Sequence, residues 1–439
     1  MILGIDASQA NRKIRSGTEW YAFYLIEEFK KLIGERGDIE VRLYLRDEPQ
    51  AGLAANLPDN FEFKILRWPF PYFWGQGRLS IEMFFHPQDV LFCPAHAIPL
   101  VHPKSPLPNP PHQGEGKEKE FLPPPLADGG GKAGGTYTTL HDIGFEDNPE
   151  LYDKLSLWYH KFSAWFAIKK AARIFTISEF SKKRIIERYN CDPRKISVTY
   201  LGIDSKCSAE QNESILEKYG LRDKGYILFV GRLEPKKNIL GMVKGYEKFL
   251  SFPRRRKPSS ILINNELDAG SKSGKTDKEA PDLVLAGRKV RIQDVEDYLK
   301  TRPRLRNKIK FIGYVDRQDL PALYAGAAIF LFPTLYEGFG LPIVEAQACG
   351  AAVITSNITS NPEIAADGAL IVDPRNIEEI ANAIKELLTD SGLRNQVVEK
   401  GLENVKRFNW GKTAKETLEV ILSRGTEGTK ARGWFIHPT

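Results

Sequence analysis

The sequence predicts two doubly wound α/β domains, each built on a parallel sheet, in one chain of 439 residues. Three observations predict this. Short apolar runs alternate with helix-length amphipathic stretches from Met1 onward, as they do when helical crossovers join parallel strands. The alternation stops in a polar linker after Asp204 and restarts at Tyr226. The segments after strand ends hold glycine and charge and then open a helix, rather than closing a hairpin.

The first domain reads as 1–205. Residues 1–5 (MILGI) form a buried strand, and a polar loop with Gly17 leads to an amphipathic helix over 18–32. Trp20, Phe23, Tyr24 and Ile26 fall on its apolar side. Strands follow at 41–45, 61–66 and 90–93. Residues 104–135 hold 7 Pro and 7 Gly in 32 positions with no period, which reads as a disordered insert. A strand over 136–140 leads to His141 and Asp142. A long helix over 151–173 then places Leu155, Trp158, Phe162 and Trp165 on one face, expected to be core. A strand at 174–177, a helix capped by Ser178 and a strand at 196–200 complete the half.

The second domain reads as 222–400. Its strands are expected at 226–230, 283–286, 309–312, 327–332, 353–355 and 370–372, with helices between them. A second polar insert occupies about 251–281. A C-terminal helix over 405–425 and a tail over 426–439 close the chain.

Composition sets limits. The chain is 42% hydrophobic and 27% charged, with a net charge of +7. That excess allows contact with anionic membranes or phosphorylated substrates and does not mark a nucleic-acid binder. Cys93, Cys191, Cys207 and Cys349 are far apart with no CxxC pair, so neither zinc nor a disulfide framework is expected. The N-terminus lacks the pattern of a signal peptide, and no run reaches the ~18 apolar residues of a membrane span. The expected location is the cytoplasm, with peripheral contact at the inner face of the cell membrane. Basic residues such as Lys169, Lys170, Lys182, Lys183 and Arg184 read as solvated faces, or as a docking surface for anionic lipid.

The chemistry concentrates in 333–350, PTLYEGFGLPIVEAQACG. An apolar strand precedes it, and Pro342 suits the first turn of a helix because its missing N–H costs nothing there. Strand, glycine loop and helix aim unpaired N–H groups and a positive helix end at one place, which suits phosphate. Arg232 and Lys237 lie beyond another strand end, in a turn opened by Gly231. Two cations and a helix end make a pocket for a diphosphate, and the carboxylates Glu337 and Glu345 can accept hydrogen bonds from sugar hydroxyls.

These residues resemble a known family. Glu337 and Glu345 with Gly338-Phe339-Gly340 between them, preceded by GRLEPKKN, resemble the retaining glycosyltransferases of family 4 (glycosyl transferases group 1, GT-B fold). TLHD ending at Asp142, SEFSK at 178–182 and KISVTYLGID at 195–204 extend the resemblance over nearly the whole chain. It is nearest to bacterial mannosyltransferases of surface-polysaccharide synthesis. The resemblance implies two Rossmann-like domains facing each other across a cleft, the first on the acceptor side and the second holding the donor. Arg232 and Lys237 would bind the donor diphosphate, Glu345 the ribose and Glu337 the transferred sugar. Gly338, Phe339, Gly340 and Leu341 would line the donor, Gly17 would approach the diphosphate, and His141 would reach the sugar. Glu19 and Ala352 depart from the family pattern, where a second glycine and a proline are usual.

The expected reaction moves a hexose, mannose or glucose, from a nucleotide-diphosphate sugar to a saccharide or lipid-linked acceptor. Retention of configuration is implied by the resemblance. No cofactor is expected, and no metal, because the sequence has no Asp-x-Asp and no H-x3-H pair. Alternatives are a non-catalytic nucleotide-sugar-binding module and a nucleotide-sugar epimerase of the same fold. A relaxed P-loop pattern at 269–276 follows no strand and opens no helix, so it reads as an insert loop.

Overall fold

The structure is a computed structural model that describes residues 1–15, 17–70, 73–95, 97–103, 134–204, 212–253 and 280–422. Most of both expected inserts, the P-loop-like segment, Cys207 and the C-terminal tail lie outside the described residues. The chain divides into two units, one comprising Met1–Gly202 with the segment from Phe408 onward, the other Ile203–Arg407.

The first unit carries seven strands: β1 (Ile2–Asp6), β2 (Glu40–Leu45), β3 (Phe61–Ile65), β4 (Val90–Cys93), β5 (Gly135–Thr139), β6 (Arg173–Thr176) and β7 (Ile196–Val198). They form one parallel sheet in the order β3-β2-β1-β4-β5-β6-β7. Strands β1, β4 and β5 are buried almost along their whole length, as the central strands of a parallel sheet covered on both faces are. The helix Gly17–Ile33 buries Tyr21, Leu25, Ile26 and Phe29.

The second unit repeats the plan with β8 (Tyr226–Val230), β9 (Asp282–Ala286), β10 (Ile309–Gly313), β11 (Ile329–Phe332), β12 (Val353–Ser356) and β13 (Ala369–Val372). Its order is β10-β9-β8-β11-β12-β13, again parallel throughout. Phe229, Phe330 and Phe332 stack in its core at centroid distances of 5.5–5.7 Å. Each sheet reverses its strand order once, at β1/β4 and at β8/β11. The loops leaving those strand pairs diverge to opposite faces of the sheet and leave a crevice between them, the usual ligand position in such sheets.

Several expectations need correction. The helix expected over 151–173 runs from Lys154 to Lys170. Asp153 caps it by accepting from the Ser156 amide, and the chain turns extended at Ala171 to enter β6. Its aromatic stripe is not core: Leu155, Trp158 and Trp165 are each at least half exposed. Helical spacing shows that apolar residues share a face, but not that another element covers it. The side facing the sheet is built instead from Ser163, Ala164, Ala167 and Ile168. A helix over Ser391–Asn404, capped by Asp390, was not foreseen, because its apolar residues are sparse.

The final helix, Trp410–Leu422, packs on the first helix of the chain. The Trp410 ring stacks on Tyr24 at 5.1 Å and lies 6.1 Å from Tyr21. Gly202 makes room for it, since a Cβ there would fall 2.3 Å from the Trp410 nitrogen.

Candidate functional site

The crevice between β8 and β11 gathers most of the expected donor residues. After β8 the chain turns at Gly231, with φ +153°, and passes Arg232 and Glu234 into the short turn Pro235–Lys237. Asn238 follows in the left-handed region at φ 59° and caps the helix Ile239–Ser251. Its amide side chain donates to the carbonyls of Pro333 at 3.0 Å and Pro374 at 2.7 Å, tying this turn to the loop after β11. The Leu335 amide donates to the Lys236 carbonyl at 2.8 Å and adds a second tie.

The loop after β11 is held from below. Ser360 Oγ donates toward the carbonyls of Glu337 and Phe339 at 3.0 and 2.9 Å. Asn361 Nδ2 donates to Thr334 Oγ1 at 2.9 Å and to Ser356 Oγ at 2.7 Å. These buried anchors fix the backbone of 334–340 while its residues stand at the strand end. Gly340, at φ +95°, makes the turn into the helix Leu341–Ala348, and Pro342 occupies its first turn. A side chain at Gly340 would be strained by that φ and would crowd Ile343, 2.9 Å away.

Within this frame Lys237 Nζ lies 2.5 Å from Glu337 Oε1, and both side chains are mostly buried. The Lys237 ammonium also sits 5.6 Å from the Phe332 ring centroid. Arg232 is largely exposed and 3.3 Å from Glu234 Oε1. Glu345 is buried one turn into the helix, where the Tyr324 hydroxyl donates to its Oε2 at 3.1 Å. Burial pushes the Glu345 carboxyl above its ordinary range, while Arg317 and Tyr324 pull it down. Arg317, 3.8 Å from Glu345 and 3.7 Å from Asp204, was missed by the sequence reading. It lies in a polar stretch after β10 with no motif around it, so no local signal marks it.

Gly287, after β9, sets how closely the 231–238 turn can lie. Its φ is +141°, and a Cβ there would meet the Gly231 carbonyl oxygen at 1.9 Å, backbone against backbone. Gly287→Ala is therefore expected to cost about 2–4 kcal/mol and to displace the Arg232 turn. Thermal melting of the variant checks this, and an unchanged midpoint would contradict it.

In the first unit, the β1/β4 reversal opens on a cavity of about 610 Å³. Phe73, Trp74 and Tyr159 supply aromatic wall, and Asp6, Arg12 and Asp47 supply charge. Asp6 ends β1 and is buried, which raises its carboxyl above the ordinary range, against the lowering effect of its hydrogen bonds from Ser8. The sequence reading passed over it; a carboxylate closing an otherwise apolar first strand was the available signal. Gly17 begins the first helix, and a Cβ there would meet nothing within 4 Å.

His141 follows β5 and is buried, with Nε2 3.1 Å from the Pro94 carbonyl and the Tyr21 ring edge-on at 4.7 Å. Burial lowers its pKa to about 4. The folded protein thus keeps the imidazole neutral where the unfolded chain, near 6.5, binds a proton. The sign follows: stability falls as pH drops from about 6.5 toward 4 and levels off below, a loss of up to about 3 kcal/mol. His141→Asn should lack this component when melting is followed across that range. Parallel profiles for the two proteins would show that the ring is not held neutral.

Among the described residues, no group of three or more His, Cys, Asp or Glu is placed to hold a metal ion. Cys93, Cys191 and Cys349 are buried thiols. Among the described residues, no helix is long and apolar enough to cross a membrane.

Comparison with known proteins bears on this geometry. Residues 262–404 match the family model described as glycosyl transferases group 1, and residues 132–206 match glycosyltransferase family 4. These spans include Glu337 and Glu345 in one and His141 in the other. The chain is 34% identical over 286 residues to the O-antigen chain mannosyltransferase B of Escherichia coli, across 64% of this chain and 69% of that one. It is 30% identical over 261 residues to a serotype-specific mannosyltransferase, WbdA, of the same species, covering 57% of this chain but only 29% of that longer protein. Among solved structures, the Anabaena protein HepE in complex with UDP and glucose superposes with a TM-score of 0.61 at 17% identity, over 96% of this chain and 99% of that one, which bears on the fold alone. With two parallel-sheet units of the GT-B type and a relative of this identity and coverage, the chain belongs to the group 1, family 4 glycosyltransferases.

Proposed function

We propose that the protein transfers a hexose, mannose before glucose, from a nucleotide-diphosphate sugar to a saccharide or lipid-linked acceptor, in synthesis of a cell-surface polysaccharide. One observation carries the reading: the β8/β11 reversal brings Lys237, Glu337, Arg232 and the Gly340 helix start to one strand edge. Similarity to an O-antigen mannosyltransferase supports mannose as the transferred sugar and surface polysaccharide as the product.

In this reading Arg232, Lys237 and the helix N-terminus bind the donor diphosphate. Breaking the sugar–phosphate bond leaves negative charge on the diphosphate, and fixed cations with a helix end stabilise it as it forms. Glu345 accepts from the ribose hydroxyls, and Glu337 from the sugar hydroxyls, oriented by its bond to Lys237. Retention follows if the acceptor hydroxyl attacks on the face the diphosphate leaves, with a departing phosphate oxygen taking its proton. Glu337 is paired with Lys237 and, in this reading, accepts from the sugar hydroxyls, so it is a poor covalent nucleophile. The phosphate charge is met by protein cations, and we infer that the reaction needs neither metal nor cofactor. The aromatic and charged cavity at the β1/β4 reversal suits a saccharide acceptor. Contact with an anionic membrane belongs to the same reading, because a lipid-linked acceptor resides there.

Thermal-shift measurements across nucleoside diphosphates and nucleotide sugars test the donor site. Stabilisation by none of them would remove the reading. Transfer assayed in chelator should persist, and the product's anomeric configuration, read by NMR, should match the donor's. Binding without any transfer would favour a non-catalytic nucleotide-sugar module instead, and interconversion of the donor sugar an epimerase.

A further inference from the structure

The cavity at the β1/β4 reversal holds two polar side chains whose hydrogen-bonding capacity the fold leaves half used. Asp6 and Gln76 both line it, and each is only 9% exposed. Asp6 Oδ1 accepts from the Ser8 amide at 3.0 Å and from Ser8 Oγ at 2.6 Å, while its Oδ2 meets no donor among the described residues. Gln76 Oε1 accepts from the Tyr159 hydroxyl at 2.9 Å, and its Nε2 likewise meets no partner there. Buried polar groups are normally paired, because an unpaired one loses its water without compensation. Burial chiefly, with the Asp6 charge as a lesser cause, raises the pKa of Tyr159, so the carboxylate and the Tyr159–Gln76 pair share one space.

The aromatic wall is shaped by an unusual stretch of backbone. Phe73 lies in the left-handed region at φ 61°, which a bulky side chain rarely adopts. The chain then makes one wide turn: the Gly77 amide donates to the Phe73 carbonyl at 2.7 Å, and the Leu79 amide reaches back five residues to the Trp74 carbonyl at 3.0 Å. Single wide turns of this kind recur at functional sites. Trp74 anchors the stretch, buried and donating its indole N–H to the Leu66 carbonyl at 2.8 Å. Phe73 instead keeps about half its surface open, its ring edge-on to Tyr159 at 5.8 Å. The strained backbone presents this ring rather than burying it, which serves a ligand and not the core.

Charge narrows the ligand. Four carboxylates line the cavity, on Asp6, Glu19, Asp47 and Asp153, against the arginines Arg12 and Arg46. Burial already raises the Asp6 carboxyl above its ordinary range, so a second anion beside it is disfavoured further. An uncharged pyranose offers what the cavity lacks: a face of C–H groups for the ring, one hydroxyl to donate to Oδ2 and another to accept from Nε2.

We propose that Asp6 selects the acceptor: its Oδ2 accepts from one hydroxyl of the acceptor's terminal sugar, Gln76 Nε2 donates to another, Phe73 covers the apolar face of the ring, and the sugar so held is a neutral pyranose rather than a uronic acid or a sugar phosphate. This rests on the reading of the cavity as the acceptor site.

Saturation-transfer NMR on the full chain, with methyl α-mannoside, methyl α-glucoside, methyl α-glucuronide and mannose 6-phosphate, tests it without need of a donor. The two neutral glycosides should bind, and the two anionic sugars at least about 10-fold more weakly. Asp6→Asn should weaken the neutral glycosides about 10-fold and narrow the gap to the anionic ones. Phe73→Ala should weaken them about 5-fold, and Phe73→Trp should recover the loss. Asp6→Asn keeps an acceptor for Ser8 and removes a buried charge, so its melting temperature should not fall, as it would if Asp6 were only structural. Nucleotide-induced thermal shifts should be unchanged in every variant; loss of them in Asp6→Asn would place Asp6 at the donor and overturn the assignment. Binding that needs Phe73 but ignores Asp6 and the charge of the sugar would also overturn it, while leaving the acceptor site in place. No saccharide binding, or binding that ignores both residues, would remove the acceptor reading and this inference with it.

Discussion

Replacing Lys237 by alanine is expected to lower the transfer rate about 10²–10³-fold with a smaller change in donor affinity. Lys237 is a mostly buried cation of the β8/β11 crevice, and its ammonium is placed by two neighbours, the Glu337 carboxylate at 2.5 Å and the Phe332 ring at 5.6 Å. A cation held this way needs little rearrangement when charge develops on the leaving diphosphate. Arg232 is largely exposed and its partner Glu234 is more distant, so Arg232→Ala should reduce binding and rate more evenly. Lys237 also orients Glu337. The two losses should therefore not add, and Lys237→Ala with Glu337→Ala should be little worse than the more damaging single change. Steady-state rates at saturating donor for the singles and the double check this. Normal turnover by Lys237→Ala would remove the electrostatic role.

Glu345→Ala is expected to weaken nucleoside diphosphate binding about 10–100-fold, the size expected when hydrogen bonds to a charged acceptor are lost. Turnover at saturating donor should change little, which separates this residue from Glu337. The substitution also removes the carboxylate from Arg317 and an acceptor from the Tyr324 hydroxyl, so the variant should melt at a lower temperature. Glu345→Gln keeps a hydrogen-bonding oxygen for Tyr324 and should recover much of the affinity if hydroxyl recognition rather than charge dominates. Calorimetric titration with nucleoside diphosphates measures both. Wild-type affinity in Glu345→Ala would end the assignment.

The sequence exposed those parts of the fold whose causes are local. The apolar runs at 226–230 and 327–332 announced strands, and Gly340 with Pro342 announced the turn and helix between the glutamates. The Lys237–Glu337 contact could be anticipated as shared location but not as a bond, because it depends on β8 and β11 being neighbours across 100 residues of chain. Arg317, Ser360 and Asn361 were invisible for the same reason: each acts through a distant backbone or carboxylate, and none sits in a spacing pattern. The stripe of Trp158 and Trp165 shows the opposite failure. Its period was read correctly, but period reports only that a face exists, and the small residues Ala164 and Ala167 turned out to hold the contact side.

The return of the Trp410–Leu422 helix to the first unit has a consequence for how the protein is made. The chain is synthesised from its N-terminus, so residues 1–202 leave the ribosome with the Tyr21 and Tyr24 faces bare. The whole of Ile203–Arg407 must be translated before the helix that stacks on them exists. The second unit is continuous and can complete its sheet during elongation. Of the two units the first to be started is thus the last to be finished, and its closing contact, Trp410 on Tyr24, is made only after the second unit has been translated.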